Sequence, residues 1–92
     1  MKKIIDGLLY DTKKAELLCK WNSDYDYLKC TLWHNYLYRT KAGRYFLFKA
    51  GIELGFTKET IKPLTDEEAF KILVERDPGK AREIFPDKIK EA

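Results

Sequence analysis

The sequence lacks the runs and motifs that define several large functional classes. Its longest apolar stretch, Tyr45-Phe46-Leu47-Phe48, is far shorter than the roughly 18 residues that a membrane-spanning helix requires. It contains no GxxxxGK[ST], GxGxxG or HExxH motif, so no phosphate-binding loop or zinc-protease site is indicated. A basic opening at Met1-Lys2-Lys3 is interrupted by Asp6 and Gly7 before a hydrophobic segment develops. We therefore expect no signal peptide, no membrane partner and a cytoplasmic location.

Thiol and imidazole groups are also scarce. Cys19 and Cys30 are the two cysteines, His34 is the single histidine, and no CxxC pair occurs, so we expect no metal and no cofactor. Without a secretion signal, reduced thiols are favoured over a disulfide. Cys30 with His34 as base and Asp26 as orienting group is the sharpest catalytic candidate, but four residues of strand span about 13 Å. That distance exceeds the hydrogen bond that a nucleophile and base need, so we expect no enzymatic activity.

Composition predicts one folded domain covering residues 1–92. The 92 residues are 45% hydrophobic and 36% charged, with only 5 glycines and 3 prolines, which is too apolar for a disordered chain. The net charge of +3 is unevenly distributed. Residues 1–50 hold ten Lys/Arg against five Asp/Glu, whereas residues 51–92 hold eight against ten. Such a polarised chain can attract an anionic partner, although its basicity is far below that of a dedicated nucleic-acid-binding domain.

The first third of the chain predicts a hairpin followed by a helix. Asp6-Gly7 stands between two apolar pairs, which is a strong hairpin signal because glycine tolerates positive φ. Asp11 or Thr12 is then a candidate N-cap for a helix that runs to about Trp21. Leu17, Leu18 and Trp21 would form the apolar face of this helix.

The middle of the chain predicts antiparallel strands. From Tyr25 the sequence is rich in aromatic and β-branched residues. Thr40-Lys41-Ala42-Gly43 predicts a four-residue loop in which Gly43 supplies a left-handed position. With Arg39 opposite Arg44, Leu37 would share a face with Phe46, and Tyr38 would share the other face with Tyr45.

The last third predicts two short helices. A short strand at residues 59–62 precedes Thr65 and Glu68, which form a capping-box pattern for a helix ending near Arg76. Asp77-Pro78 begins a second helix, and Pro86 ends it. The predicted fold is therefore α+β: a small antiparallel sheet packed against an N-terminal helix and one or two C-terminal helices.

The aromatic hairpin is the candidate binding site. Its cations suit carboxylates or phosphates, and its rings suit bases or a protein surface. The simpler alternative is that the tyrosines cover a second core face while the loop cations keep the hairpin tip soluble. The candidate contacts are Tyr36, Tyr38, Arg39, Lys41, Arg44, Tyr45 and Lys49.

Three segments, "KKIIDGLLYDTKKAELL", "LYRTKAGRYFLF" and "IKPLTDEEA", resemble a family of small, mostly uncharacterised proteins carried on phages and other mobile elements of bacteria. Its members share an I-x-G-x-x-Y-D-T-x-x-A opening, an aromatic hairpin and a PLT-x-E-E-A helix start. Where the family usually carries a Gly- and Glu-rich run, this chain has "KAGIELGF", so no role of that run transfers. The resemblance implies a counter-defence accessory protein. This class includes anti-CRISPR proteins, which act by occupying a surface of the host effector complex.

The leading interpretation is a non-enzymatic inhibitor that binds a host protein or ribonucleoprotein complex and blocks its nucleic-acid site. The main alternative is a small nucleic-acid-binding regulator that uses the same hairpin. A third interpretation is an assembly protein that pairs through a sheet edge. Both a monomer and a dimer agree with the sequence.

Overall fold

A computed structural model describes residues 1–90 as two antiparallel sheets and two α-helices. The first sheet is a hairpin of β1 and β2, and the second is a meander in the order β3-β4-β5-β6. The strands are β1 Lys2–Ile5, β2 Leu8–Asp11, β3 Glu16–Asn22, β4 Thr31–Arg39, β5 Tyr45–Glu53 and β6 Phe56–Leu64. The helices are α1 Asp66–Arg76 and α2 Pro78–Ile84, followed by a 3₁₀ turn at Pro86–Lys88. The α+β class is confirmed, and no helix of residues 1–90 is long and apolar enough to cross a membrane.

The N-terminal hairpin forms as predicted, but the predicted helix after it is wrong. Asp6 and Gly7 occupy the left-handed region with φ of 51° and 76°, as a two-residue hairpin turn requires. The Asp11 carboxylate accepts a hydrogen bond from Lys13 N at 2.9 Å, and its carbonyl accepts one from Ala15 N at 3.1 Å. Asp11 therefore stabilises a single turn and does not begin a helix. The chain then enters β3, whose backbone pairs with β4.

The β4–β5 hairpin forms, but its register differs by one residue from the predicted register. Arg39 pairs with Tyr45, Tyr38 with Phe46 and Tyr36 with Phe48. The loop consequently has five residues, Thr40 to Arg44, and Gly43 takes the predicted left-handed position with φ of 83°. Since side chains alternate between the faces of a sheet, the shift moves Tyr45 away from Tyr38.

The two C-terminal helices are confirmed, and they cover one face of the large sheet. Thr65 Oγ1 accepts from Glu68 N at 3.1 Å, and Glu68 Oε1 accepts from Thr65 N at 3.0 Å, which completes the predicted capping box. Ala69 and Leu73 of α1 are fully buried. We call this side the helix-covered face. Its core consists of Leu18, Leu37, Tyr45, Ala69, Leu73, Ala81 and Phe85.

The N-terminal hairpin covers part of the opposite face. Tyr10 packs edge-on against Phe46 with the ring centroids 5.4 Å apart, and Ile61 completes this second core. Ile5, Tyr38 and neighbouring apolar groups pack around it. The hairpin thus takes the position on the sheet that a second helical layer would otherwise occupy.

Candidate functional site

The structure separates the aromatic residues of the predicted site. Tyr36 and Tyr38 lie on the face opposite the helices, where their ring centroids are 5.6 Å from Phe48 and 5.1 Å from Phe46. Tyr45 points the other way and is only 7% exposed. Its ring lies 5.4 Å from that of Phe85, inside the helix-covered core. Only the first two tyrosines share a surface.

Two of the predicted cations have partners within the fold. Arg39 Nη2 lies 2.6 Å from Glu16 Oε1, and this hydrogen bond raises the pKa of Arg39 above its ordinary value. Lys49 Nζ lies 4.9 Å from the centroid of the Trp33 ring, within cation–π range. Both side chains stabilise the sheet locally, so a new partner would have to compete with these contacts.

The remaining two predicted cations define what we call the basic end: Lys41 and Arg44 of the β4–β5 loop, with Lys14 from the turn before β3. Within residues 1–90 none of the three forms an ion pair. Hydrogen bonds fix the loop, since Thr40 N donates to Arg44 O at 2.8 Å and Arg44 N donates to Thr40 Oγ1 at 3.1 Å. The cations therefore project from an ordered backbone.

A pocket of about 240 Å³ opens at the basic end, between β2 and the β4–β5 loop. Its lining is mainly apolar, and cations stand among the apolar groups. The lining residues are Leu8, Leu9, Tyr10, Asp11, Lys14, Ala15, Thr40, Lys41, Ala42 and Arg44. Sequence reasoning found two of the cations but missed the pocket, because its walls are distant in the chain.

The second surface is the half of the sheet face that the N-terminal hairpin leaves uncovered, which we call the open face. Its rows follow from the register: Lys20, Tyr36 and Phe48 in one row, and Leu32 and Ile52 in another. Between these rows the imidazole Nδ1 of His34 lies 2.7 Å from Asn22 Oδ1. The complete set is Lys20, Asn22, Leu32, His34, Tyr36, Phe48, Ala50, Ile52, Thr57 and Glu59. Its only full charges are one lysine and one glutamate.

The end of the large sheet near the β5–β6 turn carries an exposed group of large apolar side chains, which we call the apolar tip. They lie in the loop before β4, in the β5–β6 turn and at Phe56, which begins β6 and by its register faces away from the open face. Leu54 N of the turn donates a hydrogen bond to Cys30 O of the loop at 3.3 Å. Asp26 orders that loop by accepting from Leu28 N at 3.0 Å. The apolar tip comprises Tyr25, Tyr27, Leu28, Leu54 and Phe56, which are 48% to 96% exposed. Sequence reasoning missed this group, although apolar residues beside turn residues were a usable signal.

The catalytic candidate from the sequence does not assemble. Cys30 has φ of 51°, and its exposed Sγ lies 3.7 Å from Tyr27 O. His34 contacts Asn22 instead. Burial raises the pKa of the other thiol, Cys19, so that group is protonated at neutral pH. Among residues 1–90 no group of three or more His, Cys, Asp or Glu side chains is arranged to hold a metal ion.

Comparisons with family models, curated proteins and solved structures gave no match to this chain.

Proposed function

We propose that this protein is a non-enzymatic inhibitor that binds one partner complex stoichiometrically in the host cytoplasm. The observation that carries the proposal is the open face, a sheet surface on which aromatic and aliphatic side chains stand among polar ones, together with the exposed apolar tip at the end of the same sheet. Exposed apolar groups rimmed by polar residues mark interaction sites on soluble proteins. The resemblance to mobile-element accessory proteins adds the expected partner, a host defence protein or nucleoprotein complex whose nucleic-acid site would be blocked.

The charge of the open face favours a protein surface as its occupant. A phosphate backbone is held by several cations, each of which neutralises one phosphate. The open face offers Lys20 but also Glu59, so its net charge is close to zero. Apolar and aromatic groups with few charges are typical of the core of a protein interface. The partner surface is accordingly apolar, with polar groups at its rim.

The test compares two exposed apolar residues of similar exposure. Ile52 on the open face is 49% exposed and Val74 on α1 is 45% exposed. Tagged protein is used to capture complexes from host lysate treated with nuclease, and the captured complex is then purified and titrated with the chain. We expect one equivalent to abolish nucleic-acid binding by the complex.

The matched variants identify the contact surface. Ile52→Glu should weaken the inhibitor by at least about tenfold, since it removes apolar burial and places a charge in the interface. Val74→Glu should leave the affinity unchanged. Equal effects of the two variants on affinity would show that the contact surface lies elsewhere on the protein. If the complex still binds nucleic acid when it is saturated with the chain, the protein is not an inhibitor of that binding.

The alternative function, a small nucleic-acid-binding regulator, is favoured by the unpaired cations of the basic end. Lys41 and Arg44 are exposed, and Tyr36 and Phe48 on the open face are rings of the type that stack on bases. In this case a single-stranded oligonucleotide binds with a strong salt dependence. Replacing Lys41 by alanine should then lower the slope of log affinity against log salt by about 0.7. A lack of binding at low salt would exclude this alternative.

A further inference from the structure

The pocket at the basic end is independent of the open face and has its own chemistry. One wall is β2 with Leu8 and Leu9, and the other is the β4–β5 loop with Ala42. The two walls come from segments that are about thirty positions apart in the chain. The pocket lies at the loop end of the β4–β5 hairpin, whereas Ile52 lies near the β5–β6 turn at the other end of the sheet.

Hydrogen bonds hold both walls, so the pocket is preformed. On the hairpin side, the N-terminal amino group donates to Thr12 Oγ1 at 3.1 Å, and Thr12 N donates to the Met1 carbonyl at 3.0 Å. On the loop side, Gly43 N donates to Thr40 O at 2.9 Å. Preformed concave sites with an apolar lining and a few polar groups are the usual form of binding pockets.

The volume limits the occupant. Pockets for drug-sized ligands run from about 300 to 1,000 Å³, whereas this one holds about 240 Å³. One large aliphatic side chain is therefore the fitting occupant. The groups next to that side chain in the ligand should be negatively charged. Lys14, Lys41 and Arg44 border the apolar space and form no ion pair within residues 1–90. Carboxylates are the natural protein partners of such cations.

The lining favours a peptide over a nucleic-acid strand. A base inserted from a single strand needs an accessible ring to stack on, but the only ring in the lining belongs to Tyr10, which is 5% exposed. Asp11 also lies in the lining, and its carboxylate repels phosphate and peptide carboxylates alike. Aliphatic groups such as Leu9 and Ala42 instead match an aliphatic side chain.

We propose that this pocket binds an acidic peptide segment of a protein partner, with one large aliphatic side chain of the segment inserted between Leu9 and Ala42. Carboxylates on either side of that residue contact Lys14, Lys41 and Arg44. The inference rests on the proposed function only in requiring a protein partner. The contact would be a second one, distinct from that of the open face.

The experiment uses the full chain labelled with ¹⁵N and followed by NMR. The probe is a short synthetic peptide of aspartate and glutamate with one central leucine, and its control is the same peptide with serine in the centre. We expect saturable shifts of the amide signals of Leu9, Lys41 and Ala42 with the leucine peptide. The serine peptide should bind at least about tenfold more weakly, since it lacks the apolar anchor.

A charge-matched pair of double variants tests the cations. Lys41→Gln with Arg44→Gln should weaken binding of the leucine peptide by at least about tenfold. Lys29→Gln with Lys71→Gln makes the same change in net charge at exposed positions outside the pocket lining, and it should have a much smaller effect. Their amide spectra show directly whether the variants remain folded.

Several outcomes would overturn the inference. These are unmoved amide signals at millimolar peptide, equal affinity for the leucine and serine peptides, or equal losses in the two double variants. Tighter binding of a single-stranded oligonucleotide at the same amides would assign the pocket to nucleic acid instead. Because Ile52→Glu lies outside the pocket, it should not alter peptide binding, so failure of the open-face proposal remains distinguishable.

Discussion

The two adjacent leucines of β3 should differ strongly in their contribution to stability. Leu18 is 5% exposed and packs in the core under the C-terminal helices, whereas Leu17 is 43% exposed on the opposite face. The difference follows from the alternation of side chains along a strand. A β-bulge follows Leu17: Leu17 pairs with Tyr38 and Cys19 with Leu37, which leaves Leu18 without a cross-strand partner. In the helix expected from the sequence, both leucines would face the core.

The expected magnitudes follow from burial. Leu18→Ala removes a fully buried side chain and leaves a cavity, which costs about 2–5 kcal/mol. Leu17→Ala removes a side chain that is about half exposed and leaves no enclosed cavity, so we expect a loss of about 1 kcal/mol. For a chain of this length the total free energy of unfolding is of the order of 5–14 kcal/mol. Leu17→Ala should therefore remain folded, and Leu18→Ala should remain folded over most of this range.

Urea unfolding followed by tryptophan fluorescence measures both losses, because Trp21 and Trp33 lie on β3 and β4. With a slope of about 1.5 kcal/mol per molar urea, a loss of 3 kcal/mol lowers the midpoint by about 2 M. The slope itself should stay constant if both variants unfold from the same compact state. Equal midpoint shifts for Leu17→Ala and Leu18→Ala would refute the strand and support the helix.

Three further predictions concern the sheet and the helices. A Cβ added at Gly51 would clash with the backbone oxygen of Leu32, so Gly51→Ala should lower the thermal midpoint strongly. Gly79→Ala should leave the midpoint unchanged or raise it, because its Cβ would make only an ordinary contact with the Asp77 carboxylate at 3.6 Å. Calorimetry that ranks the two variants the other way would contradict the β4–β5 register. Thr65→Ala should cost about 1 kcal/mol in urea unfolding, because it removes the N-cap of α1; an unchanged midpoint would show that the cap adds nothing. The backbone hydrogen bond from Thr65 lowers the pKa of Glu68, so its stabilising effect is present above the ordinary glutamate pKa and is lost as pH falls through the lowered value. The free energy of unfolding should therefore fall less steeply on acidification in Glu68→Gln than in the native chain. Identical pH profiles would show that Glu68 does not contribute to the acid dependence of stability.

Several local elements were predictable because their signals are short-range. Asp6-Gly7 forms its turn, and Thr65 with Glu68 forms its capping box. In each case the deciding interaction joins residues within three or four positions of each other. Gly43 likewise takes its left-handed position, although the loop around it is one residue longer than predicted.

The residues of the predicted site share one surface only in part, because the face on which a strand residue lies depends on register. The one-residue shift between β4 and β5 places Tyr45 in the helix-covered core and leaves Tyr36 and Tyr38 on the other face. Arg39 forms an ion pair with Glu16 because β3 pairs with β4. The predicted helix excluded this strand pairing. Lys41 and Arg44 stay together because the same loop carries both.

The sequence by itself determined the antiparallel α+β class, the C-terminal helices and the turns that divide the strands, since local propensity and capping decide those features. The tertiary structure decided the rest: Glu16–Asn22 became a strand because the edge of β4 offered a backbone ladder to pair with. It also brought β2 to the β4–β5 loop, which made a pocket from distant segments. Pairing partners and faces depend on contacts between residues far apart in the chain, and local patterns do not encode those contacts.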